Sequence, residues 1–415
     1  MKKRLLSFII VLVIVLTASI PAQAIEFDPT LKGTSIGNID EYEIKQLWAG
    51  GTQYPITPKM KEFGKYTLSE LQKILNPPQE LLNSLSNKEL ASLMMDYPLL
   101  VNLFAFETPE KALNALEKSC TVFTEVLKRR GIESALLDEY ETRNLDIDYF
   151  EGKKTYNETE NYGNIPGFVF VDYYFSTYGN ILSDTIIKRY TSLRSQKAAE
   201  YKVLYNEITG GQLSISGEDK TVHNSVSNEN NIRQAYYSDW FEGFNSYVSV
   251  TIPLPIPYIS HTTYYQEGAY YKGGVVGLCW KFSSNDFSAP VKNFLNSLYN
   301  GYSGFAFLST ATTKYNCHSY AWINKSFSNV YWLNDPSNFS STYSFVNSGG
   351  RAQAGDRIII YDYTDTPCHS VCVTSGGNYQ SQITVESKLG NDGVYRTSLA
   401  DMMSLYQGYY YYVYR

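Results

Sequence analysis

Residues Lys314–Trp322 read KYNCHSYAW and set a cysteine beside a histidine in a chain with five Cys and four His. Asn is a favoured helix-capping residue, and NCHSYAWINKSF reads as a helix that starts at Asn316 or Cys317. Four strand candidates follow, separated by turn residues: GDRIIIYDY, HSVCVTS, QITVESK and YYYYVYR. Each is rich in β-branched or aromatic residues. Upstream, VKNFLNSLYN reads as a short helix and GFAFLST as a strand. One helix followed by an antiparallel meander predicts an α+β domain over residues 290–415.

On the N-terminal side, residues 25–150 predict a helical domain. TLSELQKIL, SNKELASLMMDY and TPEKALNALEKSCTVFTEVLKRR each follow a capping residue (Thr67, Ser84 or Ser86, and Thr108). In the third, Ala112, Leu113, Leu116, Cys120, Phe123 and Val126 fall on one face of a single helix, which Gly131 ends. IESALLDEYETR starts another. Residues 151–289 predict a mixed region. PGFVFVDYYFSTYG reads as a strand or strand-turn unit, SDTIIKRYTSLRSQKAAEYKVLYNEI as one long helix, and SYVSVTIPLPIPYI, HTTYYQEGAYY and GGVVGLCWKF as strands. His223 and His261 have no second ligand nearby and read as surface residues.

A chain of 415 residues exceeds one ordinary core, which points to two or three domains. A net charge of −6, with no basic run beyond the extreme N-terminus, argues against a nucleic-acid partner. The first 24 residues, MKKRLLSFIIVLVIVLTASIPAQA, have a basic start, an apolar run and an A-x-A site. They read as a cleavable signal peptide of bacterial style, so the mature chain is expected to be exported, extracellular or wall-associated. No later stretch reaches about 18 uninterrupted apolar residues, so no integral membrane segment is expected in it. An odd count of five cysteines is not a disulfide framework. The 38 tyrosines read as those of a Tyr-rich sheet protein, or more sharply as a surface that stacks on sugars or peptides.

Three readings of Cys317 compete. Zinc requires converging Cys/His pairs. In Cys368-His369-x-x-Cys372, however, strand alternation sends His369, Val371 and Val373 to one face and Cys368, Ser370 and Cys372 to the other. A buried structural thiol is the second reading. The third is a nucleophile, because a helix N-terminus favours a thiolate and its N–H groups can hold an oxyanion. The base must then come from elsewhere. His318 lies about 100° further round the helix, whereas His369 opens a strand that can be aimed at the helix.

The order of these pieces resembles the NlpC-type and CHAP branch of papain-like cysteine peptidases: Cys317 in YNCHSYAW, Gly355-Asp356 in AGDRIIIY, His369 in CHSVCVTS, the strand TVESK, and the flanking WLNDP and SKLGNDGVYR. The resemblance implies a papain-like domain with a Cys-bearing helix packed on an antiparallel sheet. It implies a hydrolase of amide bonds in bacterial cell-wall peptide, with a peptide or peptidoglycan-like substrate. By position, Cys317 would be the nucleophile, His369 the base and Glu386 the orienting group, with Ser387 and Lys388 as alternatives for the third. Tyr315, Asn316 and His318 would line the oxyanion or substrate site. Asn316-Cys317-His318 departs from the commoner Asp-Cys-Ser start, which bears on substrate class. Asp356 and Asp335 read as turn-shaping residues. No metal or organic cofactor is implied. The rival function is a non-catalytic wall- or partner-binding protein with a relic Cys/His pair.

Overall fold

A computed structural model describes residues 41–106, 108–144, 164–209, 249–252, 262–272, 275–284, 286–287, 289–299, 302, 304–390 and 392–415. The signal-like segment, His223 and His261 lie outside the described residues. The fold is α+β, with helices in the N-terminal region and an antiparallel sheet bearing a helix in the C-terminal region.

The helical region runs α1 (Glu41–Leu47), α2 (Leu68–Ile74), α3 (Gln79–Ser84), α4 (Asn87–Met95), α5 (Pro109–Ser119), α6 (Thr121–Lys128), α7 (Ile132–Thr142), α8 (Asn164–Tyr178) and α9 (Asp184–Thr209). Thr67 and Ser86 each close a capping box, with Glu70 and Glu89 returning a bond to the cap. Thr108 caps α5, with Pro109 at its first turn. The single helix expected across Cys120 is broken there into α5 and α6. Cys120 has extended backbone, and Asn76 accepts from the Thr121 N–H that begins α6. Cys120 is nonetheless buried, as its position among apolar residues required. Gly131 opens α7 in the left-handed region (φ 74°) and does not end the helix before it.

PGFVFVDYYFSTYG, expected as a strand, forms most of α8. Its aromatic and β-branched residues favour strands locally. The segment is apolar all round, however, and Phe168, Val169, Phe170 and Val171 are all buried among other helices, so tertiary packing overrides propensity.

Strands β1 (Ser249–Ile252), β2 (Thr262–Lys272) and β3 (Val275–Ser284) form an antiparallel sheet closed by β5 (Tyr331–Trp332). Helix α10 (Ala289–Ser297) leads to the main sheet, which contains β4 (Ala306–Ser309), β6 (Phe345–Ser348), β7 (Arg357–Tyr361), β8 (Pro367–Ser375), β9 (Thr384–Lys388), β10 (Val394–Ser398) and β11 (Tyr410–Tyr414), in the order β4-β10-β9-β8-β7-β11-β6. The meander β7 to β9 is as expected, and β10, which is not among the expected strands, continues it beside β9. β11 instead returns to pair with β7 on its far side, after α12 (Leu399–Leu405).

The two faces of this sheet have different partners. Ile358, Ile360, Val371, Val373, Val385 and Tyr395 join the core of the helical region. Ile359, Cys372 and Val394 pack instead with Tyr320, Ala321 and Trp322 of α11 (Cys317–Trp322). Polar ties fix the helical region to the sheet's connections. The Leu68 N–H donates to Asp401 Oδ1 (3.0 Å), Gln72 Nε2 to the Ser404 carbonyl (3.2 Å) and the Tyr406 hydroxyl to the Ala105 carbonyl (2.8 Å).

Candidate active site

Cys317 is the first residue of α11 and is 3% exposed. Asn316, fully buried, caps the helix. Its Oδ1 accepts from the Ser319 N–H (3.0 Å) and the Leu333 N–H (3.2 Å), and its Nδ2 donates to the Leu333 carbonyl (2.7 Å). The expected oxyanion role of Asn316 is therefore replaced by a clamp between α11 and the segment after β5. The Asp286 carboxylate holds the approach to this helix by accepting from Thr312 Oγ1 and the Thr313 N–H. Tyr315 is buried beside it, stacked on Tyr320, and burial pushes its phenol well above the usual range.

His318 turns toward the sheet. Its Nδ1 is 2.7 Å from Ser370 Oγ, which also accepts from Trp322 Nε1 (2.9 Å). Indole nitrogen only donates. Ser370 Oγ thus sits between the His318 ring and the Trp322 indole and ties α11 to β8. The place of His318 here is that of a packing residue between α11 and β8, not a substrate group at the surface.

His369 goes the other way. It pairs with Ile360 across β7, on the face that meets the helical region. Its ring stacks on Tyr406 (centroids 3.7 Å apart), and its Nε2 lies 2.6 Å from Ser387 Oγ. Ser387 Oγ also donates to the Ser370 carbonyl (2.9 Å). His369 Nδ1 has no hydrogen-bond partner among the described residues. Burial first, then the electrostatic influence of the neighbouring His318 and Lys111, holds its pKa well below the ordinary value, so the ring is neutral at pH 7.

Glu386 is placed on the α11 face, opposite Cys372. Burial pushes its carboxyl up, but bonds from Lys325 (2.6 Å) and Arg396 (2.6 Å) outweigh that and lower it. It does not orient His369. The expected triad is thus corrected in one member and one contact: Nε2 of His369 is met by Ser387, and β8 carries His369 to the face away from α11. The physical reason is side-chain parity. Ser387 and Glu386 are neighbours on β9, so they point to opposite faces, and only Ser387 shares the face of His369.

A β-bulge sets that parity. Ile360 pairs with His369 and Tyr361 with Pro367, which leaves Cys368 as the extra residue. Both residues of the bulge lie on the helical-region side, and burial there pushes the Cys368 thiol up to about 12. Lys388, the other alternative third residue, is fully buried and donates to the carbonyls of Gly390 (2.7 Å) and Asp392.

The turn-shaping residues behave as their sequence contexts indicate. Asp356 accepts from the Gln353 N–H and holds Arg415 in a two-pronged ion pair, and Asp335 accepts from the Ser337 N–H. All five cysteines are thiols. Among the described residues no cluster of His, Cys, Asp and Glu has metal-binding geometry, and no helix is long and apolar enough to cross a membrane. Tyr406 and Ser370 were not legible as site residues, since nothing local marks a tyrosine 37 positions after His369 in a chain with 38 of them. Comparisons with protein-family models, with characterised proteins and with solved structures returned no match.

Proposed function

We propose that the protein is an exported thiol hydrolase of amide bonds, with bacterial cell-wall peptide as the substrate class, described here in a latent arrangement. The observation that carries this reading is the setting of Cys317: first residue of a capped helix, seated on an antiparallel sheet whose next strands supply a histidine and a carboxylate. The helix-start N–H groups favour the thiolate and can hold an oxyanion. In the reaction the Cys317 thiolate attacks the amide carbon, and the carbonyl π pair moves to oxygen. Collapse breaks the C–N bond as the imidazolium of His369 gives its proton to the leaving amine. Water, losing a proton to the same imidazole, then attacks the thioester carbon; the C–S bond breaks, the carboxylic acid leaves, and the Cys317 thiolate and His369 imidazolium are regenerated.

A second reading is favoured by the opposed faces of Cys317 and His369. In it the site is a relic and the chain binds wall polymer or a partner without cleaving it. Mass spectrometry of purified stem peptides after incubation with the signal-free protein separates the two. New amine and carboxylate termini that vanish with Cys317→Ala support the hydrolase. Intact peptides that co-sediment with the protein support the binder.

A further inference from the structure

His369 occupies a place where one residue of register decides its direction. A side chain in a strand changes face when its register shifts by one, and a bulge re-aims the residues it contains. With the extra residue at Cys368, both Cys368 and His369 lie opposite Ile360 on the helical-region face. If the extra residue moved one place along, Ile360 would pair with Cys368. His369 and Ser370 would then lie together opposite Ile359, whose side chain packs in the α11 cluster. Pro367 would keep its pairing with Tyr361, and Ser370 would keep its face. Only His369 would change sides, and the side it reaches is the one that carries Cys317's helix and Glu386.

We propose that His369 is switched between the two faces of the sheet by a one-residue migration of the β8 bulge, and that Ser387 and Tyr406 hold it in the inactive position. The inference rests on reading His369 as the base. Ser387 holds the ring at Nε2, and Tyr406 covers its face. Tyr406 is anchored in the helical region, through its hydroxyl to the Ala105 carbonyl and edge-to-face against Phe106 (5.2 Å). The helical region therefore reaches the histidine through Tyr406, which is a positioning residue. The unpartnered, buried Nδ1 is consistent with a resting position that leaves the ring incompletely satisfied. The charged and titratable neighbours of the resting ring are Lys111 of α5 and His318 of α11.

The test uses the full mature chain with ¹⁵N-labelled histidine, in wild type and in Tyr406→Leu and Ser387→Ala. Each variant cuts one tie. The expected result is that the His369 titration moves up toward about 6.5 as the ring leaves its buried face. Cys317 alkylation at pH 7 is expected to accelerate, by up to about tenfold, the limiting gain in thiolate for one unit of pKa. Adding His369→Ala should abolish that acceleration. A His369 titration unmoved in both variants, or an acceleration that persists without His369, overturns the switch. Should Tyr406→Leu fail to fold, Ser387→Ala, smaller by one oxygen, carries the test. If His369 moves but Cys317 never reacts in any variant, the switch stands and the hydrolase reading falls. If Cys317 reacts while His369 stays in place, the reverse holds.

Discussion

Replacing Asn316 by alanine tests how the Cys317 helix is built. Asn316 contributes a helix cap and two bonds to the backbone of Leu333, all in a fully buried place. Loss of the cap costs about 1 kcal/mol. The Leu333 N–H and carbonyl, left buried without this partner, cost about 1–3 kcal/mol each. The expected destabilisation is therefore about 3–7 kcal/mol, a large share of the roughly 5–15 kcal/mol that holds a typical domain. Urea unfolding of wild type and Asn316→Ala, followed by tryptophan fluorescence, measures it. Asn316→Ser, which keeps a capping oxygen and loses the bonds to Leu333, should fall between the two. A loss under about 1 kcal/mol in Asn316→Ala would refute the clamp and return Asn316 to the substrate side of the site.

Glu386→Gln should cost under about 1 kcal/mol, because its partners Lys325 and Arg396 are substantially exposed, at 39% and 48%; a larger loss in the same urea assay would mean that the pairs are screened less than their exposure implies. His369 is held neutral by burial, so the unfolded chain binds its proton more readily than the folded one. Stability from this residue is therefore full above about pH 6.5 and is lost as pH falls, at up to about 1.4 kcal/mol per pH unit; His369→Gln should lack that slope, and equal slopes between wild type and variant would contradict the buried, neutral ring. Gly390 has φ 48°, and a Cβ there would stand 2.6 Å from the Ala105 carbonyl oxygen. Gly390→Ala should cost about 2 kcal/mol or more, since it adds left-handed strain to a backbone clash; a neutral change would show that the loop does not press on the helical region.

Much of this architecture was readable from local chemistry. The Asn-Cys helix start, the Thr67, Ser86 and Thr108 caps and strands β7, β8, β9 and β11 all follow from capping residues and β-branched runs. What was hidden was non-local. α8 has a strand-like composition and becomes a helix because helices surround it. β6 and β10 lack a strong strand pattern of their own, and their pairing with β11, β9 and β4 decides that they are strands at all. At the site, alternation correctly separated His369 from Ser370. The bulge at Cys368 and the register between β8 and β9 then decided which face His369 took and that Ser387, not Glu386, would meet it. A single-residue parity of this kind is set by pairing across strands, and no run of residues on one strand encodes it. The tyrosines are legible in the same partial way. Tyr361, Tyr410 and Tyr412 form a cross-strand aromatic cluster with centroids 5.0–5.2 Å apart, which accounts for several of them as sheet packing.

The hydrolase reading requires that the helix start alone make Cys317 a reactive thiol in the folded protein. The measurement that meets it most directly is the pH dependence of Cys317 alkylation in the folded, signal-free protein. Peptide mass spectrometry resolves Cys317 from the other four thiols, and Cys317→Ser serves as control. Native protein should label with an apparent pKa well under about 8.5, ahead of the buried Cys120 and the half-buried Cys368, whose thiols are both pushed up to about 12. Labelling of Cys317 only on unfolding, in step with those two, would contradict that reading.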